Sequence, residues 1–287
     1  MASVSELLPA NTAMGAVTLW VADLDSMIRY YHNGVGLELL GHEKSRAILG
    51  TPGNPIIILE AKTEMKYAAP HEAGLFHTAI LFPTQSTLAQ SVYSVATKYP
   101  GTFTGSADHL VSQAFYFNDP ENNGVELYWD RDRSEWSWIH GTIEMDTLHL
   151  DPNEFLRAHL NPEASNSENI HTQKTVGHVH LSVGSIEAAD QFYVTMLGFE
   201  KTLNWGGQAL FVSAGGYHHH MAMNTWRSKG AGRRQLALGL GKVEIKLPHA
   251  DQITETKERL DFHRLDSRID DGKLVVEDPW GNTISLS

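Results

Sequence analysis

The stretches AVTLWVADLDSMIRYYHNGVGLE at 16–38 and HVHLSVGSIEAADQFYVTMLGFE at 178–200 align without a gap, and this repeat decides the fold. Val17 and Val179, Leu19 and Leu181, Val21 and Val183, Tyr31 and Tyr193, Gly36 and Gly198, and Glu38 and Glu200 are identical pairs. Each copy opens with alternating apolar positions, the period of a half-buried strand, and then shifts to helical spacing behind an acidic residue, Asp25 or Glu187. Gly36 or Gly198 closes the helix. A second repeat pairs DPENNGVELY at 119–128 with DPWGNTISLS at 278–287. Asp-Pro followed by Asn and Gly is turn chemistry, so the apolar runs on either side read as hairpins.

The two repeats alternate along the chain. They divide it into four modules of strand, helix and several strands, at 13–70, 74–130, 175–228 and 234–287. The expected class is α+β, with one domain over residues 1–130, a connector over 131–174 and a second domain over 175–287. Within the connector, Asp151-Pro152 predicts the N-cap and first turn of a short helix, and NPEASNSENIHTQK predicts an exposed loop.

Composition narrows the function. The 287 residues carry 22 Lys+Arg against 34 Asp+Glu, a formal charge of −12, and no basic footprint for a nucleic acid is present. No apolar run approaches the roughly 18 residues that cross a bilayer, so no membrane partner is expected. The opening MASVSELLPA lacks the basic and apolar regions of a secretory signal, and a cytoplasmic location is the default expectation. With no cysteine, disulfides, thiolate nucleophiles, iron–sulfur clusters and Cys-type zinc sites are excluded. Any metal must sit on His and carboxylate. The 16 histidines, three of them consecutive, direct attention to a metal or proton-transfer site in a protein acting on small molecules.

The pattern H-x-x-L-x-V, an acid-led helix with an aromatic pair and L-G, and a closing D-P-x-x-N-x-V-E-L resembles the vicinal oxygen chelate superfamily of glyoxalases, fosfomycin-resistance proteins and extradiol dioxygenases. The run GGYHHHMAMNTW, with HVHL before it, is similar to the catechol 2,3-dioxygenase-like group. The resemblance implies four βαβββ modules forming two cupped mixed-sheet domains, with the metal inside a cup. It also implies Fe(II), with Mn, Ni or Zn as alternatives, held by two His and one carboxylate.

In the superfamily these ligands come from the first and last strands of modules. The first-strand position is His77 in module two and His178 in module three, but Ala16 in module one and Leu236 or Lys242 in module four. The last-strand carboxylate is Glu126 in module two and is replaced by Ser285 in module four. A full set therefore survives only as His77, Glu126 and His178, which implies that modules two and three share a cup. His180, two residues after His178 on the same strand face, is the competing ligand and otherwise a pocket residue. Glu60, in PIIILEA, is a competing carboxylate. Taken singly, Glu126 between Val125 and Leu127 points away from its apolar neighbours, usually toward solvent.

The resemblance also implies a catalytic base. HHHMAM matches an H-H-x-x-A-x segment with His219 in that role, and the strand register leaves His218 or His220 as substitutes. Tyr116, ten residues before Glu126, occupies the place of an active-site tyrosine, and Asp108-His109 resembles a D-H-x-V-S segment near it. Trp20, Trp205 and Trp226 are candidate walls of an apolar pocket. The implied activity is an extradiol dioxygenase of aromatic catabolism that opens a catechol-type diol with O2. A glyoxalase-type lyase or isomerase and a noncatalytic binding or resistance protein are the rival readings. The oligomeric state is open, a homo-oligomer included.

Overall fold

A computed structural model describes residues 7–161 and 172–287. Residues 162–171 of the expected exposed loop lie outside the described residues, as do the first six residues. The chain is mixed α+β, with two large mixed sheets and few helices. Its strands in chain order are β1 (Ala13–Val21), β2 (Glu38–Glu43), β3 (Arg46–Thr51), β4 (Asn54–Ala61), β5 (Gly74–Leu81), β6 (Phe103–Asp108), β7 (Ser112–Asn118) and β8 (Gly124–Asp130). Three short strands follow, β9 (Trp138–Ile139), β10 (Thr142–Ile143) and β11 (Leu148–His149). Then come β12 (Thr175–Ser182), β13 (Glu200–Trp205), β14 (Ala209–Ser213), β15 (Met221–Asn224), β16 (Gly239–Lys246), β17 (Ser267–Asp270), β18 (Lys273–Glu277) and β19 (Thr283–Leu286). One sheet runs β17-β18-β19-β16-β1-β4-β3-β2 and the other β11-β6-β7-β8-β5-β12-β15-β14-β13. Among the described residues no helix is long and apolar enough to cross a membrane.

The alternating segments differ from the half-buried expectation. In β1 and β12 the polar alternates Thr18, His178 and His180 are as buried as Val17, Leu19, Val179 and Leu181. Both strands are internal to their sheets, and the rest of the chain packs on both of their faces at these positions.

Two compact units, drawn mainly from residues 18–65 with 77–177 and from residues 178–287, repeat one locking device. In the first, Asp23 caps the helix Leu24–Arg29 by accepting the Ser26 N–H at 2.9 Å. The helix widens into a π turn over Tyr30–Val35 and ends at Gly36, where φ is +81° and only glycine is at ease. The buried Tyr31 hydroxyl donates to Asp119 at 3.0 Å. Asp119 also accepts the backbone N–H groups of Glu121 and Asn123 and the Asn123 side-chain amide, each at 2.9 Å. Glu121 returns the link by accepting the N–H groups of Ala22 and Asp23 at 2.8 and 2.7 Å. In the second unit Ser185 caps Ile186–Ala189, a π turn spans Asp190–Met196, and the Tyr193 hydroxyl donates to Asp278 at 3.0 Å. Asp278 accepts from the Trp280 and Asn282 backbone and the Asn282 amide. Both Asp-Pro turns are hairpin turns, joining β7 to β8 and β18 to β19 antiparallel.

The connector helix is Pro152–His159, capped by Asp151 through the N–H groups of Asn153 and Glu154. At the end of the connector Lys174 departs from the exposed reading, because its side chain is fully buried beside the Phe82 ring. Burial pushes its ammonium down to about 8.

Burial lifts the Asp119 carboxyl from 3.8 to about 6, against the lowering effect of its donors. Its proton is therefore held more tightly in the folded chain than in the unfolded one. The resulting stability is complete below about pH 4 and is lost as pH rises through about 6. Relative to Asp119→Asn, which does not titrate, the wild type should lose about 2 kcal/mol between pH 4 and pH 7 in urea unfolding. A gap that stays constant across that range would show that the carboxyl is not desolvated by folding.

Candidate metal centre

Among the described residues, His77, Glu126 and His178 each offer one ligand atom, and the three atoms lie within 4.8 Å of one another. All three residues are buried, at 6%, 2% and 2% exposure. His77 and Glu126 meet through strand register: β5 and β8 run parallel with Ala79 opposite Glu126, and His77 shares the face of Ala79. The His77 Nε2 to Glu126 Oε2 distance is 3.0 Å. Two ligands at right angles, each about 2.1 Å from an ion, stand about 3.0 Å apart, so this pair fits adjacent positions on one metal. Two imidazoles and one carboxylate are also the donor set of a non-haem iron site, and suit Zn and Mn as well. The solvent-facing reading of Glu126 fails because the face it points to is covered, leaving the residue 2% exposed.

The same register read in the other sheet settles the module-four slot. There β16 and β19 are parallel with Glu244 opposite Ser285, which puts Lys242 and not Leu236 in the place of His77. Leu236 is 75% exposed and lies outside any strand. Glu60 is engaged elsewhere: it accepts the Trp20 indole N–H at 3.2 Å and faces Arg46 and Lys62 at 4.0 and 3.9 Å.

Tyr116 lies directly opposite Glu126 on β7, and its ring centroid is 5.7 Å from that of His77. Burial, and then the adjacent Glu126 carboxylate, push its phenol well above the usual value, so it stays protonated at neutral pH. His109 joins it: Nε2 is 2.6 Å from the Tyr116 hydroxyl and Nδ1 is 2.7 Å from the Asp146 carbonyl. A carbonyl only accepts, so Nδ1 carries a proton, while Nε2 shares a hydrogen bond with the Tyr116 hydroxyl, which also bonds Glu126. Asp108 is occupied by a two-point ion pair with Arg131, at 2.9 and 2.6 Å.

The histidine triplet is not in a strand. β15 starts at Met221, after Gly215 and Gly216 have turned the chain with φ of +62° and +67°, so strict alternation does not govern residues 218–220. The His219 ring lies 4.1 Å, centroid to centroid, from the His178 ring. His218 is fully buried with Nδ1 2.7 Å from His219 Nδ1, whereas His220 Nδ1 accepts the Ala214 N–H at 3.2 Å. His180 takes an Asn224 side-chain N–H at 3.0 Å on Nε2 and packs against Phe76, Phe211 and Trp226. Phe76 and Asn224 were not singled out in the sequence. The signal available was their placement, one residue before His77 and just after HHHMAM. A cleft of about 810 Å³, lined by residues such as Phe192, Arg264, Arg268 and Val276, contains none of these His and Glu groups.

No family model matches the chain. The catechol-2,3-dioxygenase of Bacillus subtilis (strain 168) is 30% identical over 274 residues, covering 94% of this chain and 94% of that protein. Among solved structures, a protein classed as a dioxygenase from Bacillus subtilis subsp. subtilis str. 168 superposes with a TM-score of 0.67 at 11% identity, over 96% of this chain and 84% of that one. Glyoxalase I from Zea mays superposes with a TM-score of 0.57 at 16% identity, over 96% and 92%. These two structures share the fold. Together with the sequence relative, they show that the chain belongs to the vicinal oxygen chelate superfamily, in the family of the Bacillus subtilis catechol-2,3-dioxygenase.

Proposed function

We propose that the protein is an Fe(II)-dependent extradiol dioxygenase that opens a catechol-type aromatic diol with O2. The observation that carries this reading is the convergence of His77, Glu126 and His178, two imidazoles and one carboxylate, in a buried group. Mn, Ni and Zn suit the same donors. When bound, the ion acidifies a chelated diol and brings it together with dioxygen. The protein's own groups then handle protons. For His219 to accept a diol proton at Nε2, its Nδ1 must carry hydrogen and donate to His218 Nδ1, 2.7 Å away. In that tautomer the fully buried His218 accepts the Nδ1 hydrogen of the base and holds its ring toward His178. Tyr116, kept protonated, holds its hydroxyl beside Glu126, its cross-strand neighbour, and shares a hydrogen bond with His109. His180 and His220, tied to Asn224 and Ala214, are assigned to shaping the pocket.

A second reading rests on the same pair of rings. With its ring 4.1 Å from that of His178, His219 is read here as a fourth protein ligand, the arrangement of a glyoxalase-type lyase that consumes no oxygen.

His77→Ala, Glu126→Ala and His178→Ala should each lose bound iron while keeping the far-UV circular dichroism of the wild type. Full iron content in Glu126→Ala, measured by metal analysis after anaerobic loading, would reject the ligand set. His219→Ala should keep iron and bind diol, yet lose diol-driven oxygen uptake by roughly 100-fold or more. Loss of metal in that variant, with no oxygen uptake by the wild type, would favour the four-ligand reading.

A further inference from the structure

The cleft of about 810 Å³ plays no part in the proposed reaction. All of its lining residues fall between 188 and 279, so it belongs to the second unit alone. Ala188 and Met196 come from the helical segment that carries the Tyr193 lock. Leu265 and Ser267 come from the end of the helix Asp251–Phe262 and the start of β17, and Val276 from β18. A cleft of this size with aliphatic walls suits a small-molecule ligand, and its polar groups decide which one.

Three arginines and three acids line it, and they are unequally engaged. Arg233 pairs with Glu277. Asp278 already accepts from Tyr193, Trp280 and Asn282. Arg264 and Arg268 remain, with Asp266 as the one acid to set against them, and among the described residues neither guanidinium has an ion pair. In a chain with 34 acidic against 22 basic side chains, that is a local surplus of positive charge. A surplus of one favours a monoanion, because a dianion would also meet the Asp266 and Glu277 carboxylates.

Arg264 holds its place against backbone preference. Its φ is +58°, and it closes the helix by donating its N–H to the Asp261 carbonyl at 2.9 Å, while the Leu265 N–H donates to Leu260 at 3.0 Å. That left-handed closing position ordinarily belongs to glycine. Ser267 supplies an independent sign of a missing partner. Its hydroxyl is shielded from solvent and has no hydrogen-bond partner among the described residues. Shielded polar groups are nearly always satisfied in folded proteins, and the acceptor atom of a ligand would satisfy this one.

We propose that the cleft binds an apolar monocarboxylate, its carboxylate held by Arg264 and Arg268 and its alkyl chain lying along Met196 and Leu265. Guanidinium forks match a carboxylate in shape as well as charge, and a flexible thioether adapts to an alkyl chain. The site is separate from the metal centre and does not depend on the reaction assigned there.

The test titrates octanoate into the full chain by calorimetry, with and without Fe(II) loaded anaerobically. Wild type should bind one octanoate in both states with a Kd on the order of 0.1–1 mM, and should bind octan-1-ol and acetate each at least roughly tenfold more weakly. Arg264→Gly should weaken octanoate roughly tenfold while melting no lower than wild type, because glycine suits the closing turn. Arg268→Gln, in a strand, should weaken it to a similar degree. A role for Arg264 in helix capping alone predicts the reverse for Arg264→Gly, a lower melting temperature with unchanged binding. Octanoate binding only to the Fe(II)-loaded chain would put the carboxylate on the metal and overturn the proposal. Octan-1-ol binding as tightly as octanoate, or octanoate affinity unaltered in both arginine variants, would overturn it as well.

Discussion

A buried tyrosine donating to a buried aspartate is the constraint on which both halves of the chain depend. Tyr31 to Asp119 and Tyr193 to Asp278 each join the C-terminal turn of a helix to an Asp-Pro turn nearly ninety residues away, at the same 3.0 Å. The carboxylate is desolvated, so each accepted hydrogen bond must be made in full. Each aspartate collects its tyrosine, two backbone N–H groups and an asparagine amide, which fixes the turn conformation before the following strand begins. In the first half that strand is β8, and Glu126 is its third residue. The position of the candidate carboxylate ligand thus follows from a turn locked in place by a helix of the preceding module.

The lock survives where the chemistry does not. In the second half the Tyr193–Asp278 bond leads into β19, where Ser285 occupies the place of Glu126 and Lys242 that of His77. Glu244, opposite Ser285, is held below the ordinary carboxylate range by its bond and charge pairing with Lys273, despite its burial. It also lies against Gly15, where an added Cβ would come within 2.6 Å of its side chain. In the second sheet the two slots thus hold Lys242 and Ser285, beside the Glu244–Lys273 ion pair, and the hydrogen bonds of the lock lie outside these positions.

What the sequence made legible follows the same division. Strand, helix and Asp-Pro turn were readable because their determinants are local: alternation, an acidic first turn, a closing glycine, and turn residues at fixed offsets. The π turns at Tyr30–Val35 and Asp190–Met196 were not, since over one turn the apolar spacing of a π-helix resembles that of an α-helix. Burial of both faces of β1 and β12 was also hidden, because it depends on what distant parts of the chain pack on each face. The strand reading of His218–His220 failed for a local reason that was present in the sequence. Gly215-Gly216 precedes the triplet and turns the chain, and backbone pairing resumes at its last residue, where the His220 N–H donates to Val212 and its carbonyl accepts from Val179.

Convergence of His77, Glu126 and His178 was suggested by comparing equivalent positions between modules, since no single residue stands out by type or by neighbours. The supporting groups were less visible because they act through partners distant in sequence. His109 is placed beside Tyr116 by the Asp146 carbonyl, and Asn224 orients His180 across 44 positions. A hydrogen bond of that kind leaves no periodic trace. It becomes readable only once the sheet has brought the strands together, so the residues that tune a site are harder to find in a sequence than those that form its first contacts.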